Sequence, residues 1–140
     1  MNARAAFTAR LTTAAAIAVS GYIHADLYLN SGYRHIHIVG TAFLLQAGGA
    51  FAVTLLLLVS DSAIVRLGAA AVALGALGGF TLSRTVGVFG FTEHGFTPSP
   101  QAAISVIVEV AALLLLAAWQ LALRERAGGR PSPPGRPQNQ

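Results

Sequence analysis

Long apolar runs separated by short polar breaks are spaced along the chain as membrane crossing requires. An α-helix rises 1.5 Å per residue, so a hydrocarbon core about 30 Å thick needs about 20 mostly apolar residues. Four segments satisfy this: Leu11 to Leu29, Ile38 to Val59, Ala63 to Phe91 and Gln101 to Leu123. In the first, Ser20, His24 and Asp26 lie in the second half, and only Thr41, Gln46 and Thr54 interrupt the second. The third is rich in Gly and Ala, with Arg66 at its beginning and Arg84 well inside. The fourth carries Glu109 and, near its end, Trp119, where an indole prefers the membrane interface.

The breaks carry turn and cap chemistry. Asn30-Ser31-Gly32 reads as a turn with a residue able to take positive φ, and Ser60-Asp61-Ser62 supplies an N-cap for the third helix. Thr97-Pro98-Ser99-Pro100 sets a serine cap ahead of a proline at the start of the fourth. The predicted organisation is a cytoplasmic N-terminus over 1–10, a four-span bundle over 11–123 and a disordered Arg/Pro-rich cytoplasmic tail over 124–140.

Composition agrees with the pattern. With 54% hydrophobic and 10% charged residues, the 140-residue chain is not composed as a soluble domain. The absence of cysteine excludes disulfides, thiolate metal sites, iron–sulfur clusters and c-type haem. The net charge of +4 comes from arginine without lysine, and it bears on topology, not on nucleic acid. Arg4, Arg10, Arg66, Arg124, Arg126, Arg130 and Arg136 all fall on one side if both termini are cytoplasmic. The fold class is therefore an all-α integral membrane four-helix bundle, N-in and C-in. A cleaved signal peptide is the competing reading, since Ile23-His24-Ala25 faintly resembles a cleavage site. The neighbouring Tyr22 and Tyr28, the large residue at −3 and the odd span count left by cleavage argue against it.

In this topology His24, His35, His37 and His94, with Asp26 and Glu93, all lie in the outer half. Arg84 and Glu109 are expected level with each other, about 12–14 Å below the outer loops. A charge facing lipid at that depth costs several kcal/mol, so an Arg84–Glu109 ion pair facing the bundle interior is predicted. Gln101, Ser105 and Glu109 share one helical stripe, as do Ser20, His24 and Tyr28. Gln46 lies about 180° around its helix from His37, so those two cannot point at one site. The expected convergent set is His24, His37, Arg84 and Glu109. His24, His37 and His94 are candidates for zinc or copper(II), or two of them for a b-type haem. The alternative is that these histidines anchor loops at the interface. Copper(I) would call for soft sulfur, which only Met1 supplies.

Ala71, Gly75 and Gly79 recur every four residues, a small-residue ridge that permits close helix approach within the bundle or to a partner. The chain carries no nucleophile elbow, zinc-protease motif or nucleotide fingerprint. The stretch Leu82-Ser83-Arg84-Thr85-Val86-Gly87, then Phe89-Gly90-Phe91, with Glu109 in the next helix, resembles a group of small, uncharacterised four-helix membrane proteins of high-GC Gram-positive bacteria. In that group a Ser-Arg-Thr-x-Gly motif ends the third helix. The resemblance implies a four-span bundle over about residues 11–123 in a bacterial plasma membrane, and carries over Arg84 and Glu109 as the polar pair. Two functions fit these residues. One is a non-catalytic accessory component of a homo-oligomer or larger membrane assembly, joined through the glycine ridge. The other is an outward-facing site for a metal, haem, quinone-like ligand or proton-coupled solute.

Overall fold

The computed structural model describes residues 3–128. Four helices form in the order α1 (Ala3–Asn30), α2 (Val39–Val59), α3 (Ala63–Thr85) and α4 (Gln101–Gly128), with a 3-10 turn at Tyr33–His35 between the first two. They run up and down as antiparallel neighbours, so the start of α1, the α2–α3 connection and the end of α4 share one end of the bundle. Arg4, Arg10, Arg66, Arg124 and Arg126 all belong to that end; residues 129–140, with Arg130, Arg136 and most of the expected tail, lie outside the described residues.

Among the described residues, three helices are long and apolar enough to cross a membrane: Val39–Val59, Ala63–Thr85 and Gln101–Arg126. The predicted first span is not among them. Its 28-residue helix has the length, but Thr12, Thr13, Ser20, His24 and Asp26 dilute its apolar character. Its polar residues are nevertheless directed inward: Thr13, Ser20 and His24 are buried, whereas Tyr22 and Leu29 are exposed. Polar groups on the other helices are likewise drawn inward while large apolar residues face out. Buried Ser83, Ser105 and Glu109 contrast with exposed Leu45, Leu55, Ile64, Leu67, Ile107 and Leu114. In water so continuous an apolar surface would drive association, whereas in hydrocarbon it costs nothing.

Local chemistry sets the helix ends. Gly32 takes the left-handed conformation at φ 82° in the expected turn. The Ser62 hydroxyl accepts from the Val65 N–H at 3.3 Å and caps α3. That helix stops at Thr85, six residues short of the predicted Phe91. Gly87 adopts φ 80° and its N–H bonds the Leu82 carbonyl at 2.8 Å, the wide turn that closes many helix C-termini. A Cβ at Gly87 would lie 2.9 Å from Thr92 Cγ2, so both backbone and space require glycine here. Beyond it, Val88 and Phe91 exchange backbone hydrogen bonds of 2.8 and 2.9 Å around Phe89 and Gly90. Both central residues have positive φ, 50° and 82°, as a two-residue hairpin turn demands. At the other end, α4 runs on past the predicted Leu123 to Gly128.

The half of the bundle toward the arginine-bearing end, called the inner half for short, is close-packed. Ala14, Ile17, Ala50, Ala73, Ala112 and Trp119 belong to one buried cluster. Trp119 is 2% exposed, so its indole fills this core and does not sit at a lipid-facing interface as the sequence suggested. The Arg66 guanidinium lies over it, 5.2 Å from the ring centroid. The close helix approach occurs at Gly21 and not on the α3 ridge: a Cβ there would come within 3.0 Å of Ala50 Cβ on α2. Ala71, Gly75 and Gly79 are exposed, and Gly79 has open space where a Cβ would be.

Candidate functional site

The opposite half, toward the α1–α2 and α3–α4 connections and called the outer half for short, holds an apolar cavity of about 180 Å³. All four helices reach it: His24 from α1, Phe43 and Gln46 from α2, Gly75 and Ala76 from α3, and Ser105 from α4. The cavity exists because α3 presents glycines and alanine where bulkier residues would meet α2. Gly75 faces only the Gln46 side chain, with Oε1 3.7 Å from where its Cβ would sit. Gln46 is in turn fixed by donating from Nε2 to the Val72 carbonyl at 2.8 Å.

A polar cap closes the outer end. The chain after α3 folds back over the helix, and the Glu93 N–H bonds the Ser83 carbonyl at 2.9 Å. This return brings the Glu93 carboxylate to the Arg84 guanidinium, with Nη1 to Oε2 at 3.0 Å. Arg84 also donates to the carbonyls of Gly95 at 2.7 Å and Thr97 at 2.5 Å and to Ser83 Oγ at 2.7 Å, and stacks on Phe80 at 3.8 Å. Its donors are thus committed to the loop. Tyr33, buried in the 3-10 turn, donates its hydroxyl to Glu93 Oε1 and so ties the α1–α2 connection to the α3–α4 connection. Burial and the adjoining Glu93 carboxylate push the Tyr33 hydroxyl pKa well above its ordinary value.

The expected Arg84–Glu109 ion pair is therefore replaced by an Arg84–Glu93 pair. The depth argument assumed that α3 continues to Phe91; because the helix ends at Thr85, Arg84 sits in its last turn beside the loop. Glu109 lies about 12 Å along α4 from its start, far below that cap. It is 1% exposed, and its Oε1 accepts from Ser20 at 3.0 Å and Ser105 at 2.7 Å. Its Oε2 is buried without a partner among the described residues.

The four-residue stripes on α1 and α4 do meet. Ser20 bonds Glu109 with its hydroxyl, while its carbonyl accepts from Nδ1 of His24 at 2.9 Å. His24 is 8% exposed, packs 5.2 Å from the Phe43 ring, and faces the cavity. His37 is not beside it. It lies exposed in the turn before α2, as does His35, whose Nε2 accepts from Arg34, and His94 is exposed in the outer loop. Among the described residues no three His, Asp or Glu side chains come together as metal ligands, so the candidate set His24, His37 and His94 does not assemble. No second histidine faces His24 across the cavity, and the bis-histidine haem arrangement is not formed.

Sequence reasoning set aside Gln46 because it was measured against His37. Its lone amide in an otherwise apolar stretch was the available signal. Nothing in sequence could pair Tyr33 with Glu93, 60 residues apart. Together the fold and site define an all-helical bundle with three membrane-length helices and a ring-sized apolar cavity beneath a polar cap. Compared with protein-family models, curated proteins and solved structures, the chain shows no match in any of the three.

Proposed function

We propose that this is a multi-pass bacterial plasma-membrane protein, with both termini cytoplasmic, that binds a small apolar ligand in the outer half of the bundle. The orientation is supported by the arginines gathered at the inner end. The bilayer itself is the first partner, received by the exposed leucine and isoleucine faces. The observation that carries the binding reading is the cavity. At about 180 Å³ it exceeds the roughly 150 Å³ that suffices to hold benzene in an apolar protein interior. Its walls are largely aliphatic and aromatic, with few polar groups, the composition of small-molecule sites. Exposed Gly75 and Gly79 at its edge give a lateral entrance from the lipid phase.

The test is saturable binding of 4-fluorotoluene, followed by fluorine NMR with the full chain in lipid nanodiscs and corrected for partition into protein-free nanodiscs. Saturation by the wild type is expected. Ala76→Phe, which fills the cavity from α3, should lose binding while keeping its helical circular dichroism. Absence of saturable binding by the wild type would refute the reading. A Soret band or stoichiometric metal in the purified protein would instead favour haem, zinc or copper(II) at His24.

The same open face of α3 favours a second reading, an accessory component whose glycine ridge receives a partner helix. Gly78 and Gly79 have no neighbour within 4 Å of a built Cβ. Gly79→Leu should then dissociate an assembly seen by light scattering, whereas an unchanged mass would remove this reading.

A further inference from the structure

We infer that the cavity selects ring ligands carrying a hydroxyl, phenols and the hydroquinone class, and that His24 is the residue that accepts the hydroxyl's hydrogen bond. The inference rests on the binding reading above and deepens it. Three observations converge on it. The first is the tautomer of His24. A backbone carbonyl can only accept, so the 2.9 Å contact between Nδ1 and the Ser20 carbonyl makes Nδ1 the protonated nitrogen. With the ring neutral, Nε2 is solely an acceptor, and no protein donor reaches it among the described residues. Unlike the orphan oxygen of Glu109, Nε2 is not sealed in the core, because the ring borders the cavity.

The second observation is that the imidazole is held in place. The Ser20 carbonyl fixes one edge, and Phe43 packs against the ring. An acceptor immobilised in this way loses little entropy on binding. Ser20 is itself anchored, through its hydroxyl, to buried Glu109.

The third is the shape and character of the walls. Tyr33 and Phe43 lie 4.6 Å apart, Tyr33 and Phe91 meet edge-on at 5.9 Å, and Phe80 and Phe89 complete an aromatic lining suited to a flat ring. Phe89, held at φ 50° in the hairpin turn, also borders the cavity. No cationic group in the lining is free for an acid, since Arg84 is committed to Glu93 and the loop carbonyls. A neutral donor is therefore the ligand group the site can satisfy. A ligand without a donor would leave Nε2 covered and unpaired, an unfavourable arrangement.

The experiment compares 4-fluorophenol with its near-isostere 4-fluorotoluene by fluorine NMR in nanodiscs, each corrected for partition. The wild type is expected to bind the phenol about tenfold more tightly, and His24→Leu to abolish the preference while still binding 4-fluorotoluene. Because this variant disturbs a buried position, the second readout uses wild-type protein with nitrogen-15 labelled histidine. The His24 Nε2 resonance should shift on adding 4-fluorophenol and not on adding 4-fluorotoluene. Equal affinities in the wild type would overturn the inference and leave the cavity reading standing. Saturable binding of neither probe would overturn the cavity reading itself. A phenol preference that survives His24→Leu, with an unmoved Nε2 resonance, would reassign the acceptor away from His24.

Discussion

The inner and outer halves of the bundle are built from the same four helices yet differ in what fills them. Inside, Ala69 and Ala73 of α3 are wholly buried against neighbours, and Trp119 and Leu57 take up the remaining volume. Outside, Gly75 and Gly79 lie two and six residues beyond Ala73 on that helix, and space remains unfilled beside them. The polar groups divide in the same way, with His24, Gln46 and Ser105 bordering the cavity while the inner core is almost wholly apolar. Interiors normally pack at crystal-like density, and space that no side chain fills forfeits intramolecular dispersion contacts along its lining. On the ligand-binding reading proposed above, the second half is left open for the molecule that enters it.

The comparison is most easily broken by large truncations in the packed half. Trp119→Ala is expected to cost about 3–5 kcal/mol, seen as a lowered midpoint of thermal unfolding in detergent. A change under 1 kcal/mol would mean that the inner half is not the stabilising core. Next in size is the cap. Arg84→Ala strands the Glu93 carboxylate and the Gly95 and Thr97 carbonyls, which are partly solvated, and should cost about 2 kcal/mol. Hydrogen exchange in the loop after α3 should rise with little change in the inner helices. Arg84→Lys should not restore protection, since an ammonium cannot reproduce the guanidinium fork.

Removing the Tyr33 hydroxyl in Tyr33→Phe should cost about 1 kcal/mol, because Glu93 keeps its arginine. The same residue gives a pH signature. Its pKa is raised in the folded state, so the stabilisation is complete below the unfolded value of about 10 and is lost as pH rises beyond it. Melting measured from pH 8 to 11 should show a steeper alkaline loss for the wild type than for Tyr33→Phe. The smallest effect, and the one of opposite sign, is Gly79→Ala. With no atom near the added methyl it should stabilise α3 by about 0.5–1 kcal/mol, whereas Gly21→Ala must displace Ala50 and should gain less or lose. Equal effects at the two glycines would erase the distinction between the packed and the open regions.

Much of this was legible along the chain because it depends on local chemistry. Apolar run length fixed four helices, Ser62 and Gly32 marked ends that form as read, and the stripes through Ser20 and His24 and through Ser105 and Glu109 pointed at each other. Arg84 stood out as a charge within an apolar run, but its partner did not follow. Whether it meets Glu93 or Glu109 depends on where α3 stops, and that is decided by Gly87 and the hairpin around Phe89 and Gly90. The third apolar run has no polar break there, so hydropathy carried the helix past its true end.

By itself, then, the sequence determined an all-helical, lipid-compatible chain with its arginines gathered at one end, because hydrophobicity and helical periodicity are properties of neighbouring residues. Only the tertiary structure decided that Gly75 and Gly79 of α3 border a cavity and are not the point of close approach between helices of this bundle. It also decided that His37 and His94 stand apart from His24, and that Tyr33, Glu93 and Arg84 lock two loops together. These depend on which helix faces which and on where each one ends, relations between residues far apart in sequence that no local pattern encodes.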